Sequence, residues 1–315
     1  MIDFSKIGKL LGGDNLMMIV YGTISTIILA VVGTVVGLIL GIFIAYGKNV
    51  KIKETDNKLV RALKGLIKGV CSVYSTVLRG TPMMVQALIF KYFCAAIGIN
   101  WGNIFLKGTI NYILNGWLIA GLIVITLNTA AYMAEIVRSG LNGVDYGQVE
   151  GAYTLGMSPS RTSLSIILPQ ALRNALPTIG NELIVNIKDS SVLNVIAVSE
   201  LYYRMFSIAT TTYAFMESYL VLAGIYLILT LIATGIGALV GTTALGGDEL
   251  KQAINDTVVP FKDEIITIGA LLFVVGVVLL FVPGCLGVGL TLLGLGAAVL
   301  WGASKLDSSA LSSKI

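Results

Sequence analysis

The chain of 315 residues contains no histidine. That excludes a histidine-ligated metal and a histidine general base. Charge is also scarce. Asp, Glu, Lys and Arg together make up 12% of the residues, against about a quarter in an ordinary soluble domain. Hydrophobic residues reach 56%, which excludes a soluble globular protein and points to an all-α polytopic membrane protein. The three cysteines, Cys71, Cys94 and Cys285, are scattered in or beside apolar runs and lack metal-ligand spacing. They read as small packing hydrophobes. The net charge of +4 carries no message about nucleic acid, because membrane proteins collect basic residues on their cytoplasmic loops. No short apolar core with a small-residue cleavage site opens the chain, so the first apolar run is expected to be a retained span.

A spanning helix needs about 20 mainly apolar residues. Leu16 to Tyr46 supplies the first. The densest basic cluster follows, with Lys48, Lys51, Lys53, Lys58, Arg61, Lys64 and Lys68 against only Glu54 and Asp56. By the positive-inside rule this loop is cytoplasmic and the N-terminus outside. Arg61 to Arg79 carries basic and hydroxyl residues at three- and four-residue steps, as an interfacial amphipathic helix does. Reading Leu59 to Leu78 as a separate span would invert everything downstream. Gly80 and Pro82 in "RGTPMMVQ" break the helix, and the second crossing is expected at about Pro82 to Ile97. Trp101, Tyr112 and Trp117, with Lys107, suggest an outer loop with an aromatic belt. The third span runs from Tyr112 to about Val137, the fourth from near Ile166 to about Val198, and the fifth from Phe215 to Val240.

Between the third and fourth spans, residues 139–165 are mixed and punctuated. Asp145 with Gln148 three residues on resembles a capping box. Gly156 suits the left-handed position just past a helix end. Ser158-Pro159 supplies an N-cap and a first-turn proline. The pattern spells a short surface helix, a stop and a restart; an ordinary solvated loop is the plainer alternative.

These residues carry a resemblance. Glu150-Gly151-Ala152, Gly156 and Ile166-x-Leu168-Pro169 resemble the EAA loop of ABC importer permeases, with Gly151 where that family usually has alanine. "RGTPMMVQ" and "KDSSVLNVI" resemble segments of the polar amino acid subfamily. The resemblance covers about Leu16 to Val240 and implies a five-span permease core, residues 1–245, without an enzymatic site. It implies that Glu150, Gly151, Ala152, Tyr153, Leu155 and Gly156 dock a cytoplasmic ATPase dimer that binds ATP and Mg. It further implies a second permease, identical or a sister chain, and a separate extracytoplasmic amino-acid-binding protein, in a bacterial-type plasma membrane. The chain has no GxxxxGK[ST] phosphate loop of its own. The competing class is a secondary transporter or channel working without ATP, for which paired broken helices would be expected.

Ionisable residues inside spans are functional candidates. Glu182, Asn186 and Asp189 fall on one helical face, with Asn181 and Lys188 beside them. Pro177 and Gly180 are expected to interrupt this helix and free backbone groups. Arg79 and Thr81 complete the candidate substrate pathway; the plainer alternative is that these groups pair within the bundle. Glu135 with Arg138, and Glu200 with Arg204, read as local ion pairs. After an acid-rich linker, 246–264, the chain is expected to form a transmembrane hairpin, with spans at Ile265 to Val282 and Leu286 to Trp301 and a cytoplasmic C-terminus. The hairpin departs from the family pattern and would face lipid or pack a dimer.

Overall fold

The computed structural model describes residues 10, 12–103, 113, 115–244 and 297, with side chains placed to residue 237. Lys107, Tyr112, Cys285, the linker and the expected hairpin lie outside the described residues, Ala297 excepted. The chain divides into two compact units, Met1–Gly237 and Ala238–Ile315; the architecture below is that of the first. It is helical throughout, with no strand among the described residues.

Helix α1 spans Gly13–Lys48, α2 Lys58–Gly80, α3 Met83–Ala96 and α4 Gly116–Asn142. Short α5, Tyr146–Thr154, precedes a continuous helical run. The run comprises α6, Pro159–Thr162, a π turn Ser163–Ile167, α7, Leu168–Asp189, and a 3-10 segment, Ser190–Ile196. Helices α8, Leu201–Thr212, and α9, Phe215–Ala244, follow. Among the described residues, α1, α4 and α9 are long and apolar enough to cross a membrane. The run Pro159–Ile196 with α8 makes a fourth if this pair, bent by 57°, counts as one span.

The bundle is organised around α1 against α4. Gly37 and Gly41, one turn apart on α1, let the two backbones approach closely. A Cβ at Gly41 would lie 2.9 Å from the Ala134 nitrogen, and one at Gly37 3.3 Å from the Ala130 nitrogen. Small residues at such contacts replace the hydrophobic driving force that is missing between helices in lipid. Farther along, Leu29, Val124, Ile125, Leu193 and Ile196 close one core. Ile19, Leu201, Met205, Ile208 and Leu222 close a second, where α8 and α9 meet the start of α1.

The amphipathic reading of Arg61 to Arg79 matches α2, of which only Ser75 is buried. The helix that follows falls within the expected crossing. Helix α3 has 14 residues, about 21 Å at 1.5 Å per residue, short of a hydrocarbon core of about 30 Å. The last turns of α2 already lie beside the middle of α4, where the Tyr74 hydroxyl donates to the Leu127 carbonyl at 2.7 Å.

The packing of α1 on α4 yields a test. Gly41→Leu should lower the thermal unfolding midpoint in detergent, because overpacking costs about 1–3 kcal/mol. Gly65→Leu, inside α2 with nothing within 4 Å of a new Cβ, should not lower the midpoint, because a good helix former there replaces glycine without a clash.

Candidate docking helix and polar transmembrane face

Helix α5 begins where Asp145 Oδ1 accepts from the Gly147 N–H at 2.8 Å. Only this half of the expected capping box forms. Gln148 does not reach back to Asp145; its Oε1 accepts from Gln170 Nε2 at 3.5 Å, on α7. The helix ends as expected. Gly156 has φ +74°, its N–H donates to the Tyr153 carbonyl at 2.9 Å, and the Met157 N–H donates to the Ala152 carbonyl at 3.0 Å. These paired bonds define a Schellman stop. Leu155 is 83% exposed and Tyr153 48%, and Glu150, Gly151 and Gly156 are exposed as well. Glu150 makes no ion pair among the described residues. Ala152 is buried and so sits on the underside of the helix, away from the exposed residues.

The restart also follows the sequence. Ser158 Oγ accepts from the Arg161 N–H at 3.4 Å, with Pro159 at the first helical position. Pro169 then lacks the N–H that an α-helix would give to the Ser165 carbonyl, and its ring crowds that carbonyl. The chain widens there into the π turn, closed by Leu168 N–H to the Ser163 carbonyl. Ser163 Oγ donates to the Tyr46 hydroxyl at 3.0 Å, tying the turn to the end of α1.

On α7 the candidate substrate residues separate. Asn186 is buried; its amide donates to Thr34 Oγ1 at 2.9 Å and its carbonyl oxygen accepts from Thr129 Oγ1 at 3.0 Å. It fastens α7 to α1 and α4. Asn181 and Lys188 are exposed, while Glu182 and Asp189 are half-buried. Asn174 and Thr178 extend the exposed polar face. Pro177 does not interrupt the helix, which continues to Asp189, so the expected break at Pro177 and Gly180 is corrected. The proline forfeits only one i→i−4 bond, to the Arg173 carbonyl. The break comes instead after the 3-10 segment, at Ala197 with φ 68°.

Arg79 and Thr81 belong to a different constellation. Glu135 accepts from Arg138 at 2.8 Å, as the sequence suggested, but also pairs with Arg79 at 3.4 Å and with Lys48. Arg79 lies over the Tyr132 ring, 5.7 Å from its centroid. One carboxylate thus gathers cations from α1, α2 and α4, beside a cavity of about 390 Å³ lined by Ser139, Gly140, Asn174 and Thr178 among others. Thr81 Oγ1 donates to the Val77 carbonyl at 2.9 Å. Gln86 Nε2 donates to the Leu78 and Thr81 carbonyls at 2.8 and 2.9 Å, and Asn128 holds its Oε1 at 3.0 Å. The Leu78 carbonyl is the one that Pro82 leaves without a donor. No hydrogen bond or ion pair among the described residues joins Arg79 or Thr81 to the polar face of α7.

Glu200 is not a surface ion-pair residue. It is fully buried and caps α8, accepting from the Tyr202 and Tyr203 N–H groups at 2.8 Å. Thr26 and Tyr226 donate to its Oε2 at 3.4 and 3.0 Å.

A long apolar bundle, a short capped surface helix and a helix with a polar face are the features to set beside known proteins. Comparison with known proteins identifies the class. Residues 37–242 match the family of binding-protein-dependent transport system inner membrane components, and the chain belongs to this family. It is 32% identical over 219 residues to the arginine transport system permease protein ArtQ of Bacillus subtilis, covering 70% of this chain and 89% of that one. It is 30% identical over 228 residues to a putative glutamine transport system permease protein GlnP of Rickettsia bellii, covering 72% and 92%. A solved amino acid ABC transporter with histidines matches at TM-score 0.61 and 32% identity, over 76% of this chain and 98% of that one. The inward-facing MetNI methionine ABC transporter shares the fold at TM-score 0.58 and 15% identity. Family membership disfavours the transporter working without ATP.

The capped stop gives a prediction. Gly156→Val should destabilise the end of α5 by about 1–2 kcal/mol, the left-handed penalty for a side chain. Gly151→Ala, with nothing within 4 Å of its new Cβ, should strengthen the helix by up to about 1 kcal/mol. Hydrogen exchange of the amides at 150–157 should rise in the first variant and fall in the second.

Proposed function

We propose that the chain is the membrane permease of an ABC importer for a polar amino acid, driven by a separate ATPase that docks on α5. The observation that carries this reading is the form of α5. It is short, capped at one end and stopped at the other, and it leaves Glu150, Gly151, Tyr153, Leu155 and Gly156 exposed. Ala152 supports that surface from beneath. ATP and Mg are held by the partner ATPase, and the permease is not itself an enzyme. A separate binding protein delivers the substrate, in keeping with the family's description. The relatives that support a polar amino acid are named for arginine and glutamine.

In the bilayer the core crosses five times: α1, the end of α2 with α3, α4, the run through α7, and α9, with a two-span hairpin beyond. The basic loop after α1 supports an N-terminus outside, with α5 and the C-terminus in the cytoplasm. The exposed polar face of α7 is costly against lipid. It therefore faces a second permease, a copy or a sister chain, and the translocation path between them. Asn181, Glu182, Lys188 and Asp189 line that path, with Arg79 and Thr81 at its edge, whereas Asn186 serves packing. Closure of the ATPase dimer moves α5 and rocks the bundles as rigid bodies.

Two experiments test this. Glu150→Lys with Leu155→Asp should abolish co-purification with the ATPase and cut ATP-dependent uptake at least about tenfold, the scale of a lost hot spot, with the unfolding midpoint unchanged. Retained co-purification and uptake would refute the docking surface. Glu182→Gln should lower uptake of cationic amino acids about tenfold while sparing neutral ones, as loss of a charged contact predicts. Equal uptake of both would remove Glu182 from the path.

A further inference from the structure

A second recess lies at the opposite end of α4 from α5. Trp117 and Asn142 bracket that helix, a separation of about 38 Å at 1.5 Å per residue. Here a cavity of about 300 Å³ is lined by Lys91, Tyr92, Ile99, Asn100, Trp101 and Trp117 among others. The Lys91 ammonium sits 5.4 Å from the centroid of the Trp117 ring. It makes no ion pair among the described residues. The Trp101 ring stacks on Phe90 with centroids 5.8 Å apart, and its buried indole N–H has no acceptor. Asn100 spends its Oδ1 on the Gly102 N–H at 2.9 Å, which leaves its amide hydrogens as donors. Among the described residues, no carboxylate lines the recess.

The recess therefore offers donors and a positive charge with no matching acceptor. Tyr92 and Ile99, at the same recess, are 68% and 42% exposed, so apolar surface adjoins the donors. A small soluble anion would use the donors and leave that surface uncovered. An anion that carries hydrocarbon uses both.

We propose that this recess binds an anionic phospholipid. Its phosphodiester oxygens accept from Lys91 and Asn100, and its acyl chains run along Tyr92 and Ile99. A zwitterionic headgroup fits less well, because its own ammonium would meet Lys91 with no carboxylate to receive it. Trp117 holds the Lys91 ammonium at the level of the headgroups, as aromatic residues at membrane boundaries do.

The test uses the full chain in lipid nanodiscs with Trp301→Phe, leaving Trp101 and Trp117 as the fluorophores. Quenching by brominated phosphatidylglycerol is compared with that by brominated phosphatidylcholine at equal content. Phosphatidylglycerol should be preferred about fivefold, the effect of one basic residue at an anionic surface. Lys91→Gln should abolish the preference and Lys91→Arg should keep it. Unchanged quenching by phosphatidylcholine in Lys91→Gln reports an intact fold. Equal quenching by both lipids, or a preference that survives Lys91→Gln, would overturn the proposal. So would reversal of the quenching by soluble glycerol phosphate, which would assign the recess to a free anion.

Discussion

A backbone group released inside a bilayer has no water to bond, so each break in a membrane helix needs an internal partner. The bundle is arranged around that constraint. Pro82 frees the Leu78 carbonyl, and Gln86 returns from the next helix to donate to it. Pro169 cannot donate within an α-helix, and the chain answers with a π turn. After Ala197 the first amides of α8 would be bare; the buried Glu200 carboxylate accepts two of them. Each repair recruits a neighbour. Gln86 is held by Asn128 of α4, the π turn by Tyr46 of α1, and Glu200 by Thr26 of α1 and Tyr226 of α9. The breaks thereby become the places where helices are tied together.

The same logic separates packing residues from exposed ones on α7. Asn186 has both ends of its amide satisfied inside the bundle. A substrate would have to displace those bonds to use it. Asn181, Glu182, Lys188 and Asp189 make no hydrogen bond or ion pair through their side chains among the described residues. No contact among the described residues accounts for their polarity.

How much of this the sequence reveals depends on the range of the interaction. Hydrophobic runs locate α1, α4 and α9 because span length is a local property. The caps of α5 and α6 are local too: Asp145, Gly156 and Ser158 act on groups within a few residues. The partners of Asn186 lie 57 and 152 residues away, and Thr26 is 174 residues from Glu200. Spacing along one helix cannot show such pairs. A three-residue step suggested the Glu135–Arg138 pair correctly but hid Lys48, 87 residues distant. The continuity of α7 through Pro177 was hidden for another reason. Proline forbids one hydrogen bond but does not forbid the helix, and packing on both sides decides. The role of Gln86 was missed, though a glutamine four residues after a helix-breaking proline is placed to reach the carbonyl the proline leaves open.

The position of the ties also decides what a force on α5 can move. Helix α5 follows α4 after three residues, Gly143 to Asp145, and is bound to α7 through Gln148 and Gln170. The run that starts at Ser158 is fixed to α1 through Ser163 and Tyr46. Glu135 then joins α1, α2 and α4 by ion pairs near the same end. A displacement of α5 alone would break its bond from Gln148 to Gln170, while a displacement of the whole bundle breaks none of these contacts. In the proposed transport cycle, a load on α5 would be carried into α7 through that bond and into α4 through the short α4–α5 connection. If the bundle moves as one body, as proposed, the freedom it lacks internally would have to lie at its outer surfaces, of which the polar face of α7 is the one proposed to meet a second permease.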